Sequence, residues 1–144
     1  LTEDIPDDYY TVESGKAKIV REGDDLTIVT YGMGVHWAEK ILDENKNISA
    51  ELIDLRTLLP WDKDTVTESV SKTGKVLIVH EDTLTGGIGA EIAAYISEHL
   101  FKNLDAPVMR CGSLDTPVPF SSVLEENFFQ KDVFRKKLIE LSEY

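Results

Sequence analysis

A chain of 144 residues, 42% hydrophobic and 29% charged, has the composition of one globular domain, long enough to bury about 70% of the surface its unfolded form exposes. Its 27 acidic against 15 basic residues leave a net charge of -12, which argues against nucleic acid and anionic membrane as partners and suits a basic protein. The single cysteine, Cys111, excludes an intrachain disulfide and fits a reducing compartment, and no apolar run approaches the ~20 residues that span a bilayer.

The opening stretch, LTEDIPDDYY, is acidic and lacks the basic and apolar regions of a signal peptide. It starts with Leu rather than Met, as expected for a piece of a longer chain. Residues 1–14 carry five carboxylates and no hydrophobic period, so they are assigned as an arm or linker, with a domain over residues 15–144. A short strand is predicted from Lys16 to Arg21, turning near Gly23. DLTIVTYG is a strong strand bounded by Asp24-Asp25 and Gly32. VHWAEKILDENK places Val35, Ala38, Ile41 and Leu42 on one helical face. AELIDL is the next strand. Asp62 caps a helix through KDTVTESVSK, which Gly74 ends. KVLIVH is a strand, and AEIAAYISEHLF is a helix with Ile92, Tyr95, Ile96 and Leu100 aligned. PVMRCG is a last strand, SLDTPVPF a turn-rich connector, and KDVFRKKLIELSEY a closing helix with Val133, Leu138 and Leu141 near one face.

Strands alternating with helices predict an α/β fold: a mainly parallel sheet covered by helices on both faces. The strand from Lys16 is joined to the next by only a few residues, too few for a parallel crossover. It therefore pairs antiparallel with a neighbour or sits at a sheet edge.

Sites in such folds gather at the carboxyl ends of the strands. Here those ends carry Tyr31-Gly32-Met33-Gly34, Asp54-Leu55-Arg56, His80-Glu81-Asp82 and Cys111-Gly112. Gly32 and Gly34, with Asp54 about 20 residues on, fit a dinucleotide fingerprint loosely. The competing explanation is a tight turn that lets a helix pack on the sheet. His80, Glu81 and Asp82 suggest a metal or acid-base group, but adjacent strand side chains point to opposite faces, and a metal wants three or four ligands. A polar network at a strand end suits them better. His36, in the first turn of a helix, is placed to hydrogen-bond across the same edge. There is no G-x-S-x-G nucleophile elbow, and Cys111 has no evident activator. The residues alone define an acidic α/β domain without a catalytic set: no catalytic, cofactor-binding or metal-ligating residue is assigned.

The succession GDDLTIVTYGMGVHWAEKI, ELIDLRTLLPWDKDTV, KTGKVLIVHEDTLTGGIGAEI and LDAPVMRCGSLDTPVPFS resembles one module. It is similar to the C-terminal domain, of transketolase C-terminal type, of the beta subunit of thiamine diphosphate-dependent 2-oxo acid dehydrogenases. HEDTLTGG resembles the branched-chain, 2-oxoisovalerate type more than the pyruvate type. The resemblance runs from about Gly15 to the end. It implies a three-layer α/β/α fold with a five-stranded sheet, mostly parallel, whose first strand is antiparallel. It also implies an oxidoreductase parent that decarboxylates a 2-oxo acid and passes the acyl group to a lipoyl arm within a multienzyme complex. Thiamine diphosphate and magnesium would lie in domains other than this one, so the fragment would be inactive alone. The implied role here is assembly. The implied partners are the parent's other domains or subunits and the basic subunit-binding domain of the dihydrolipoyl acyltransferase. The implied interface residues are His36, His80, Glu81, Asp105 and Tyr144. The implied compartment is the bacterial cytoplasm, or the mitochondrial matrix in a eukaryote. One departure is VESGKA, where many relatives carry a Pro-Ile pair before GKA. Two rival readings remain: a transketolase-type domain serving dimerisation only, and a free-standing nucleotide-binding domain using Gly32, Gly34 and Asp54.

Overall fold

Five strands form one sheet in the order β1-β3-β2-β4-β5, and the computed structural model describes residues 6–144. Of the predicted arm, residues 1–5 lie outside the described residues. Residues 6–14 form no helix or strand and are exposed.

The strands are β1 (Lys18–Arg21), β2 (Leu26–Thr30), β3 (Ala50–Asp54), β4 (Val76–Thr83) and β5 (Met109–Ser113). The helices are α1 (Met33–Glu44), α2 (Lys63–Thr73), α3 (Ile88–His99), α4 (Ser122–Glu125) and α5 (Lys131–Ser142). Strands β2 to β5 run parallel, and β1 is antiparallel to β3. The expected architecture is therefore the observed one.

The sheet alternates in and out as its pleat requires. Leu26, Ile28, Leu52, Leu77 and Val79 meet Ala38 and Leu42 of α1 and Phe134, Leu138 and Leu141 of α5. Val29, Ile53 and Ile78 meet Val66 and Val70 of α2 and Ile92 and Ile96 of α3. Central strands so covered on both sides explain the continuous apolar runs. In α5 the buried face is Phe134, Leu138 and Leu141, an i, i+4, i+7 stripe. Val133, expected on that face, is only partly buried beside it.

β1 is an edge strand whose partner is β3, not the sequence neighbour β2. To reach β2, the chain passes over the amino end of β3. Gly23 makes that possible, because a Cβ there would stand 2.2 Å from the carbonyl carbon of Ala50. The amides of Asp24 and Asp25 both donate to Ser49 O and tie the crossing down. β1 also starts later than Lys16, since the Ala17 amide donates to the Asp62 carboxylate instead of a ladder partner.

The remaining differences are local. Asp62 caps α2 through the Thr65 amide, and Gly74 ends it in the left-handed conformation at φ 68°. β4 extends three residues past His80, with its pairing to β5 irregular between Val79 and Thr83. A 3-10 turn at Phe101–Asn103 and the four-residue α4 had no hydrophobic period to announce them.

Candidate functional site

The direction in which strands are added to the sheet reverses between β2 and β4. From β2 the chain winds outward to β3, and from β4 it winds the other way to β5. The crevice beyond their carboxyl ends is where open α/β sheets bind ligands. Here the part of that position nearest His80 is filled by the protein itself.

His80 is fully buried. Its ring sits against three glycines. A Cβ on Gly89 would lie 2.3 Å from Nε2, and Cβ atoms on Gly87 and Gly112 would each lie 3.0 Å from Cε1. The glycine cluster of TLTGGIGAEI is thus the room that an imidazole occupies. Nδ1 lies 3.0 Å from Asp82 O, so the neutral ring donates there, while Nε2 has no partner among the described residues. Burial lowers the His80 pKa, with Arg110 adding to the effect and Asp82 opposing it. His80, expected at an interface, is enclosed by its own chain in this structure because α3 and β5 close over it.

Gly34 is accounted for in the same way. A Cβ there would be 2.0 Å from Thr30 Oγ1, so the glycine admits a threonine beneath the first turn of α1. Asp54 Oδ1 accepts the Arg56 amide in a local turn. The dinucleotide-like spacing reflects close packing and not a phosphate cradle.

Glu81 is exposed and reaches the β2–α1 turn, its Oε2 3.7 Å from where a Gly32 Cβ would be. Burial first, then the charges of Asp82 and Glu81, raise the Tyr31 pKa, so this edge carries a negative field. His36 does not bond across the edge. It is exposed on α1 with Nδ1 3.6 Å from Glu39 Oε2, one turn along the same helix. Cys111 is buried, which pushes its thiol up to about 11. Among the described residues, no three His, Cys, Asp or Glu side chains stand together as a metal site, and no helix is long and apolar enough to cross a membrane.

The other two predicted residues meet at the opposite end of the sheet. Asp105 and Tyr144 line one groove of about 550 Å³, with Phe101, Leu104, Pro107 and Val108. Two contacts bring them together. The Asp105 amide donates to Gly74 O at 2.8 Å, which fixes the loop on the left-handed end of α2. Lys75 Nζ donates to Ser142 O at 3.3 Å, which holds the carbonyl end of α5, where a cation is favoured, beside the start of β4. Phe101 and Tyr144 remain 75% and 59% exposed, so the groove has apolar walls that none of the described residues covers. Phe101, not expected from the sequence, is in hindsight marked by an aromatic just past the end of an amphipathic helix.

The fold and the sequence together place the chain in one class: it belongs to the Transketolase, C-terminal domain family, which matches residues 15–132. Within that class its relatives are specific. It is 44% identical over 145 residues to the 2-oxoisovalerate dehydrogenase subunit beta of Bacillus subtilis, covering 98% of this chain and 44% of that protein. It is 53% identical over 119 residues to 2-oxoisovalerate dehydrogenase subunit beta 2, mitochondrial, of Arabidopsis thaliana, covering 81% of this chain and 33% of that one. The pyruvate dehydrogenase E1 component subunit beta of Bacillus subtilis is 46% identical over 121 residues, covering 83% of this chain and 37% of that one. Among solved structures, a split gene transketolase described as an inactive beta4 tetramer aligns with a TM-score of 0.76 at 26% identity, over 97% of this chain and 45% of its own. The chain spans less than half the length of these proteins.

Proposed function

We propose that this chain is the C-terminal assembly domain of a 2-oxo acid dehydrogenase beta subunit of the branched-chain, 2-oxoisovalerate type. The parent would be a thiamine diphosphate-dependent oxidoreductase that decarboxylates the 2-oxo acid and transfers the acyl group to a lipoyl arm. The observation that carries this reading is the 44% identity to a 2-oxoisovalerate dehydrogenase beta subunit over 98% of the chain. The parent would work in the bacterial cytoplasm or the mitochondrial matrix, since both bacterial and mitochondrial proteins are among the relatives.

Thiamine diphosphate and its magnesium do not fit the residues present. A diphosphate wants free backbone amides and cations. At the strand ends Thr30 and His80 fill the space beside Gly34, Gly87, Gly89 and Gly112, and the exposed charges beside those glycines are the carboxylates of Glu81 and Asp82. The cofactor belongs to domains outside this chain, and the chain's own part is to hold partners.

Its docking surface for the basic subunit-binding domain of the acyltransferase is the groove of Asp105 and Tyr144. An exposed carboxylate beside exposed aromatic walls offers a cationic domain both charge attraction and apolar contact. A titration of the chain with that binding domain at low and moderate salt tests this. Salt-sensitive binding that weakens roughly tenfold in Asp105→Ala supports the surface. Binding indifferent to Asp105 and Tyr144 removes it. The parent's identity is tested separately by exchanging this chain for the matching segment of the Bacillus subtilis beta subunit. An assembled chimera that decarboxylates 2-oxoisovalerate supports the reading, and one that folds but does not assemble refutes it.

A further inference from the structure

A second groove lies beyond the carboxyl ends of β4 and β5, about 490 Å³ in volume, between α1 and the segment that follows β5. Residues 105–108 precede β5 and Ser113 ends it, so this groove and the Asp105 groove sit at opposite ends of one strand. Trp37, Phe128 and Phe129 form an aromatic wall, with Trp37 and Phe129 stacked at 3.9 Å and 12°. Glu81, Asp82 and Glu125 supply three carboxylates. Ser113 also lines it, only 2% exposed, and its hydroxyl has no hydrogen-bond partner among the described residues. A buried hydroxyl without a partner is costly unless a ligand meets it.

The surroundings say what kind of occupant fits. On the segment that walls the groove, Phe120 is fully exposed, and Val123 and Leu124 are 68% and 61% exposed. A small molecule seated in the groove would leave that ridge in water, whereas a protein segment covers both. A second copy of this chain would bring its own -12 charge against an acidic rim. Carboxylates around an aromatic wall instead suit an ammonium or guanidinium on an apolar stem.

We propose that this groove is a second docking surface, for a partner protein segment that seats a lysine or arginine among the carboxylates of Glu81, Asp82 and Glu125 while its apolar residues cover Phe120 and Leu124. The cation donates to the carboxylates and to the Ser113 hydroxyl oxygen.

The chain has two tryptophans, and Trp61 packs on the opposite face of the sheet, so Trp61→Phe leaves Trp37 as a local reporter. The probe is a short amphipathic leucine–lysine peptide titrated against the 144-residue chain carrying that substitution. The expected result is a saturable shift of Trp37 emission. It weakens roughly tenfold in the Glu81→Gln, Glu125→Gln double variant and several-fold in Phe120→Ala. It stays within about twofold when the remote Glu22 and Glu68 are made glutamine. Four results overturn the proposal: Trp37 emission that does not move; equal weakening by the remote pair, which means diffuse attraction; loss in Asp105→Ala alone, which puts the peptide in the other groove; and Phe120-dependent dimerisation in sedimentation, which makes the occupant a second copy. Saturation by butylamine at the peptide's own affinity overturns it as well, since the ridge then contributes nothing.

Discussion

Gly89→Ala tests the imidazole cage directly, because a single methyl group is predicted to change sign with its neighbour. In the native protein the new Cβ would lie 2.3 Å from Nε2 and 2.4 Å from Cδ2 of His80, and 3.3 Å from Ile78 Cγ2. Comfortable contacts are about 3.5 Å or more, so the ring must retreat by roughly 1 Å. Gly87 and Gly112 already stand where any Cβ would be 3.0 Å from the ring, which leaves little room for retreat. Overpacking of this kind costs about 3 kcal/mol, the upper part of the usual range. Replacing glycine by alanine in a helix returns about 0.5–1 kcal/mol. The net loss is therefore about 2 kcal/mol, or a fall of about 1 M in the urea midpoint for a slope near 2 kcal/mol/M. In a His80→Ala background the clash is gone, and Gly89→Ala should stabilise by about 0.5–1 kcal/mol. The coupling of about 3 kcal/mol is read from a double-mutant cycle of urea unfolding curves. If Gly89→Ala shifts the midpoint by the same amount and sign in both backgrounds, the cage argument is wrong.

Burial holds the folded-state His80 pKa below its unfolded value of about 6.5, so the unfolded chain takes up the proton more readily. Stability from this group is complete above pH 6.5 or so and is lost as pH falls through the folded pKa; urea midpoints from about pH 8 to pH 5 should show a decline that His80→Gln flattens. Gly23→Ala should cost about 3 kcal/mol or more by thermal unfolding, since its Cβ meets backbone rather than a movable side chain. Asp62→Ala should cost about 2–3 kcal/mol, because Asp62 caps α2 through Thr65 and also accepts the Ala17 amide. Cys111, buried and with its thiol pushed up to about 11, should resist thiol reagents at pH 8 in the folded chain and label only on unfolding.

Much of the scaffold was legible because it rests on local chemistry. β-branched runs between turn residues marked the strands, and the Asp62 cap and Gly74 stop framed α2 within the chain's own grammar. The antiparallel edge strand followed from a connection too short to cross over. Its partner did not, because which strand lies beside β1 depends on Gly23 crossing so close to Ala50, 27 residues on, that no side chain fits between them. The same limit applies to the sites. His80 stood out as a polar residue at a strand end, but its burial depends on Gly89 and Gly112 arriving from two other elements. The meeting of Asp105 with Tyr144 depends on Lys75 gripping the end of α5. The second groove left no trace in any single stretch, since its wall and its carboxylates come from α1, β4 and the segment after β5.

The passage of the chain over β3 also sets an order of events. β1 precedes every other strand in the sequence, yet the backbone groups it pairs with are those of Leu52, Ile53 and Asp54. Those residues are not in position until β2, α1 and β3 have come together. Contacts of such separation are slow to form. The first strand in the sequence is thus seated by the third, and β1 takes its edge position only once β3 is in place. A substitution that loosens β3 should therefore unseat β1 as well, since β3 is its one partner among the described strands.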